Sequence, residues 1–82
     1  MSVAHRIIPS TDTAAYLLSQ GHPVVAVRQL GQGGMVFCFE ESPELEEHLL
    51  RFVSGRSVVE PRSFVRALND LRDLARSQVV PA

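Results

Sequence analysis

The sequence has no tryptophan and no lysine, and its only cysteine is Cys38. One cysteine excludes a disulfide within the chain and is typical of a reducing compartment, so we expect the cytoplasm. Eight arginines against nine acidic residues give a net charge of −1, which excludes a strong overall field drawing the chain to nucleic acid or membranes. Long apolar runs are missing too, so we expect neither a signal peptide nor a membrane span.

Signatures of catalysis and of metal binding are also missing. The three histidines, at positions 5, 22 and 48, are too scattered to form a zinc site with the single cysteine. The glycine-rich segment 31–34 lies between two predicted strands, and therefore lacks the helix N-terminus on which phosphate cradles depend. No serine lies in a nucleophile-elbow motif. We therefore expect a protein without enzymatic activity, catalytic residue, cofactor or metal.

The length of 82 residues is that of one domain, and we expect residues 1–82 to form it, with a frayed tail at 78–82. A domain of this size buries only about 60% of its unfolded surface, so its core is small. Dimerisation is a common remedy for a small core. Self-association is therefore one function to consider.

A strongly apolar hairpin is predicted at residues 24–40. Valines and phenylalanines bracketed by glycines predict strands at 24–30 and 35–40. If Leu30 lies opposite Met35, Arg28 lies opposite Phe37, and one face carries both phenylalanines. The opposite face, which we call the second hairpin face, is apolar as well. It consists of Val25, Val27, Val36 and Cys38.

A hairpin with one face in water alternates apolar and polar residues, and this one does not. The second hairpin face therefore needs cover, from a helix of the same chain or from a second copy, and the sequence leaves both alternatives open. Leu50, beside the main apolar stripe of a predicted helix, extends this surface. The predicted self-association residues are Val25, Val27, Val36, Cys38 and Leu50.

The remaining segments predict a short strand and three helices. Residues 3–8 suit a strand that Pro9 ends. Capping residues and apolar spacing predict three helices. The first begins after Ser10 or Thr11 and ends near residue 20, the second runs from Pro43 to about residue 54, and the third runs from Pro61 to about residue 77. Val58 and Val59 are expected to pair briefly with a sheet edge.

Three further features of these segments carry expectations about side chains. The buried stripe of the second helix is predicted to include Phe52 and Val53, at helical spacing. Tyr16 falls off the stripe of the first helix, so we expect it at the rim, with a contact role as the alternative. His22 is expected to donate a hydrogen bond to a backbone carbonyl, although a functional histidine at this joint stays open.

The last helix carries arginines on the side opposite its apolar stripe. Residues 56–82 hold five arginines against three acidic residues, which is a local charge of +2. Such a face is able to contact phosphate groups, and the competing interpretation is a solvated face with Arg–Asp pairs. The predicted nucleic-acid contacts are Arg62, Arg66, Arg72 and Arg76.

The order of three motifs resembles a small family of uncharacterised domains in bacteria and their phages. These motifs are a helix ending in Gly-His before a strand, a Phe-x-Phe-Glu strand leading into a Pro-Glu-Leu helix, and an Arg-x-Leu pattern in the last helix. The resemblance covers residues 11–75. It implies a small stand-alone protein of phage or mobile-element origin, and it brings no established activity and no catalytic residue.

Together these features predict an α+β domain of the order (β)-α-β-β-α-α, in which helices pack on the aromatic face of the hairpin. The function that we expect is a protein-interaction or self-association module, with a homo-oligomer or another protein as partner. The alternative is a small nucleic-acid-binding accessory protein that uses the arginine face.

Overall fold

A computed structural model describes residues 4–29 and 34–78 of the chain. The predicted α+β class and element order are confirmed, including the short N-terminal strand. Three parts of the predictions lie outside the described residues: Val3 of the first strand, Leu30 with most of the turn, and residues 79–82 of the tail. The elements are β1 His5–Ile8, α1 Thr11–Ser19, β2 Val24–Gln29, β3 Met35–Glu40, α2 Pro43–Val53 and α3 Pro61–Gln78.

The three strands form one antiparallel sheet in the order β1-β3-β2, with β3 in the centre. The register between β2 and β3 contains a bulge, because Val24 lies opposite Phe39 while Ala26 lies opposite Cys38. The extra residue on β2 is Val25. A bulge places two residues of one strand against one of its partner and shifts all that follows.

The predicted register is wrong, because Gln29 and not Leu30 lies opposite Met35. Arg28 lies opposite Val36 and not opposite Phe37, whose partner is Val27. Since residues that lie directly opposite each other on neighbouring strands point to the same face, Val27 shares the face of Phe37. The predicted second hairpin face therefore loses Val27 and gains Ala26, which lies opposite Cys38.

The core lies on the face of the sheet that carries Phe37 and Phe39. Residues from all three helices and from β1 join these two rings in one apolar cluster. Leu45 and Leu49 belong to it from α2, and Leu71 from α3. The sheet thus has one face covered by helices. The buried members of the cluster are Ile8, Ala14, Ala15, Tyr16, Leu17, Phe37, Phe39, Leu45, Leu49, Ala67 and Leu71.

Helix α1 is the central element of this layer, since it contacts β1, β3, α2 and α3. Four consecutive residues, 14–17, are buried, and four consecutive residues point to all sides of a helix. Tyr16 is only 2% exposed and stacks on Phe52 with ring centroids 4.9 Å apart. The expectation that Tyr16 lies at the rim is wrong, because α2 covers the side of α1 that a two-layer packing leaves to solvent.

The helix ends follow the capping rules. The Ser10 hydroxyl accepts a hydrogen bond from the Thr13 N–H at 3.4 Å, and the Ser42 hydroxyl accepts one from the Leu45 N–H at 3.1 Å. After α1 the chain turns at Gly21, whose φ of 95° suits glycine alone. The expected sheet pairing of Val58 and Val59 is wrong: residues 56–60 contain no strand, and Val59 packs on the core.

Candidate interaction surfaces and a histidine pair

The residues of the predicted self-association surface do not form one exposed patch. Val36 and Cys38 are only 6% and 1% exposed, and both lie outside the helix-side cluster, on the opposite side of β3 from Phe37 and Phe39. Val27 is half-buried against the helix-side core. These exposed fractions refer to a single copy, and they favour the alternative that the chain itself covers these three side chains.

Different causes remove Val27 and Cys38 from the surface. The register of β2 against β3 places Val27 opposite Phe37, on the side of the helices. Cys38 lies on the central strand, between Ile7 of β1 and Ala26 of β2, and a central strand has neighbouring side chains on both sides. Val25, at 45% exposure, is the residue of the second hairpin face that stays exposed.

Exposed apolar side chains do occur next to one another on α2. Leu50 is 62% exposed, as its position beside the apolar stripe predicts, and Val53 is 80% exposed. The prediction that Val53 is buried is wrong. The side of α2 that contacts the core consists of Leu45, Leu49 and Phe52. Val53 lies about 100° further round the helix than Phe52, and it is one turn after Leu50.

Charged residues flank Leu50 and Val53 in a definite order, with acidic residues before Leu50 and basic residues after it. The Arg51 guanidinium donates to the Glu47 carboxylate at 2.7 Å, and Arg6 of β1 donates to Glu46 at 2.8 Å. We call the exposed side of this helix the α2 outer face. It consists of Glu46, Glu47, Leu50, Arg51 and Val53.

Two shallow cavities border Leu50. One of about 240 Å³ is lined by Arg6, Glu46, Leu49, Leu50 and Val53. The other, of about 290 Å³, is lined by Glu47, Leu50, Arg51 and Arg56. Leu50 therefore stands as a ridge between two depressions, and this shape suits interdigitation with another side chain.

A histidine pair joins α2 to the segment between α1 and β2. His22 Nε2 and His48 Nδ1 are 2.8 Å apart, which is hydrogen-bond distance, and the rings meet edge to face with centroids 4.9 Å apart. The expected carbonyl partner of His22 is thus replaced by a second imidazole. The sequence gives no signal for this contact, because 26 positions separate the two residues.

The surroundings of the pair disfavour a second proton. Burial lowers the pKa of His22 below its ordinary value of 6.5, the nearby His48 lowers it further, and the Glu44 carboxylate opposes both. Within residues 4–29 and 34–78, no three His, Cys, Asp or Glu side chains are grouped to hold a metal ion. Two tetrahedral zinc ligands are about 3.3 Å apart, so a distance of 2.8 Å fits a shared hydrogen better.

The four predicted nucleic-acid contacts, Arg62, Arg66, Arg72 and Arg76, are all exposed along α3. Ion pairs in the described part of the chain join Arg6 to Glu41 and Glu46, and Arg51 to Glu47. None involves Asp70 or Asp73, so the alternative of Arg–Asp pairs on this face is wrong for the described residues. The arginines of α3 therefore form no ion pair with carboxylates of the described residues, although the charge of Arg66 acts on the nearby Glu60 carboxylate.

In the part of the chain that the structure describes, no helix has both the length and the apolar character to cross a membrane. No curated protein and no solved structure matches the chain. Residues 4–77 match the model of a family described as "Domain of unknown function (DUF5659)". The match covers nearly the whole chain and confirms the resemblance to a small uncharacterised domain, whereas an origin in bacteria or phages stays a prediction. The chain belongs to the DUF5659 family.

Proposed function

We propose that this protein is a non-enzymatic interaction module that associates with a second copy of itself through the α2 outer face. The observation that supports this proposal is the pair Leu50 and Val53, exposed to 62% and 80% one turn apart on the same helix. Single exposed apolar side chains are ordinary, but neighbouring ones form a patch that association removes from water.

The order of charges on α2 favours a second copy as the occupant. Glu46 and Glu47 lie on the N-terminal side of Leu50, and Arg51 and Arg56 lie on its C-terminal side. In a two-fold symmetric pair of antiparallel α2 helices, the acidic end of each helix lies beside the basic end of the other. The same arrangement places the Leu50 side chains against each other at the symmetry axis.

Such an interface is at the small end of the known range. A stable complex buries about 800 Å² on each partner, and an eleven-residue helix face reaches that area only with help from its neighbours. Arg6 of β1 and Arg56 line the cavities beside Leu50 and extend the contact area. We therefore expect a concentration-dependent dimer that dissociates on dilution.

The size of the effect of Leu50 follows from its exposure. With 62% of the residue open to solvent, its full burial in a dimer contributes about 1 to 2 kcal/mol per copy. A symmetric interface contains this residue twice, so Leu50→Ala weakens association by about 2 to 4 kcal/mol, or roughly 30- to 900-fold in Kd.

Sedimentation velocity from low micromolar to submillimolar concentration tests the proposal. We expect the wild-type protein to dimerise and Leu50→Glu to stay monomeric. Val58→Glu is the matched control, because Val58 is 87% exposed and lies in the segment between α2 and α3. Circular dichroism checks that both variants fold. A wild-type monomer at the highest concentration, or equal association of the two variants, contradicts the proposal.

A second candidate function, nucleic-acid binding, is favoured by the arginines of α3. Arg62, Arg66 and Arg76 recur at intervals that keep them on one side of the helix, and no carboxylate of the described residues forms an ion pair with them. Arginines without such partners are free to contact phosphates. Asp70 and Asp73 reduce the positive charge of this helix, so we rank this candidate second.

A further inference from the structure

The His22–His48 contact connects two parts of the fold that the sheet does not join. His22 follows Gly21 at the end of α1 and precedes β2, whereas His48 lies in the middle of α2. On the α1 side, the Tyr16 ring lies 6.2 Å from the His48 ring and stacks on Phe52 of α2. The pair is therefore part of the attachment of α2 to the rest of the domain.

The number of protons on the pair decides whether this contact holds. Two nitrogens 2.8 Å apart share one hydrogen, which one of them donates and the other accepts. When both imidazoles are protonated, each facing nitrogen carries a hydrogen. Neither nitrogen then has a lone pair to accept with, and two positive charges face each other.

We propose that the His22–His48 pair makes the attachment of α2 dependent on pH, strengthening it at neutral pH and weakening it in weak acid. The shared hydrogen maintains the contact while the pair carries at most one positive charge. The second proton breaks the hydrogen bond and separates the rings. The proposal concerns the fold itself and is independent of whether α2 binds a second copy.

The groups that face the pair come from three elements. Glu44 lies one turn before His48 on α2, and its negative charge favours a protonated His22. At the end of β3, Glu40 lines a cavity of about 200 Å³ together with His22, Pro23 and Ser42. From α1, the pair faces the uncharged Tyr16 ring. Burial outweighs the attraction of Glu44, so the balance stays against the second proton.

The sign of the pH dependence follows from these groups. The pKa of His22 in the folded protein lies below its ordinary value of 6.5, so between these two values the unfolded chain binds more protons. The stabilisation is fully present above about pH 6.5 and is lost as the pH falls through the lowered pKa. For one proton, the equilibrium constant for unfolding rises by at most about tenfold per pH unit.

Urea unfolding of the full chain at a series of pH values between about 5.5 and 7.5 tests the proposal, since this range brackets an ordinary histidine pKa. We expect wild-type stability to be constant above about pH 6.5 and to decrease as the pH falls below it. His48→Gln makes the dependence shallower and His22→Asn removes most of it. His5→Gln is the matched control, because His5 is exposed on β1 and keeps the full dependence. An effect of His48→Gln no larger than that of His5→Gln overturns the proposal.

Nitrogen-15 NMR of the wild-type imidazoles gives a second readout that does not require the variants to fold. At about pH 8, where ordinary histidines are neutral, we expect one of the two facing nitrogens to be protonated and the other not. On acidification we expect this difference between the two facing nitrogens to be lost over the pH range in which the stability falls. A difference that persists through that range, or a hydrogen on neither facing nitrogen at about pH 8, overturns the proposal.

Discussion

The bulge in β2 assigns opposite environments to two valines that lie two positions apart. Val27 packs against the helix-side core, whereas Val25 is 45% exposed and outside it. In a regular strand the two side chains point to the same face. Truncating each valine to alanine therefore tests the bulge directly, and the two substitutions have the same intrinsic effect on strand formation.

The expected magnitudes follow from burial. Val→Ala removes two carbon atoms, each worth about 0.8 kcal/mol when buried, and the cavity that remains adds to the loss. Since Val27 is half-buried among core side chains, Val27→Ala costs about 1 to 2 kcal/mol. Val25→Ala costs less than about 0.5 kcal/mol, as is usual at the surface.

Thermal and urea unfolding measure this difference. In a domain of this size 1 kcal/mol moves Tm by about 4 to 8 °C, so Val27→Ala lowers Tm clearly and Val25→Ala changes it little. Equal losses, or a greater loss for Val25→Ala, refute the bulge.

Two further predictions concern α3. If this helix binds nucleic acid, the wild-type protein is retained on DNA or RNA at low salt, and the double variant Arg62→Ala/Arg66→Ala is retained less. Arg51→Ala serves as the control, because Arg51 already pairs with Glu47. Equal retention of the two variants contradicts the candidate function. The Glu60 carboxylate accepts hydrogen bonds from the Ser63 hydroxyl at 2.8 Å and from the Ser63 and Arg62 N–H groups. These hydrogen bonds lower the pKa of Glu60 below its ordinary value of 4.5. The stabilisation that they give is therefore present above pH 4.5 and is lost as the pH falls through the lowered pKa. Glu60→Gln is expected to flatten the acid limb of a stability–pH curve, and an unchanged limb contradicts this account.

Local features account for the parts of the fold that the sequence predicted. Ser42 followed by Pro43 specifies a helix start through one hydroxyl and one fixed φ, and the structure has both where the sequence places them. Phe37 and Phe39 alternate along β3, and their rings face the core as the period of two requires. The exposure of Leu50 also follows from its position on the helix.

The predictions that the structure contradicts failed for one physical reason. Local sequence patterns do not indicate which helices and strands pack against each other. Tyr16 is buried because α2 packs over a side of α1 that the apolar spacing of α1 does not mark. Cys38 is buried because β1 makes β3 a central strand. The α2 outer face includes Val53 because the core contact of α2 ends at Phe52.

The amino-acid sequence by itself determined the elements, their order, the caps and the aromatic face, since each depends on interactions within a few residues of the chain. Only the tertiary structure decided the bulge at Val25 and the contact of His22 with His48. The bulge depends on the pairing of two strands, and the histidine contact depends on where α2 docks. Both are properties of packing between distant segments, and both proposals about α2 therefore depend on the folded domain and not on any motif.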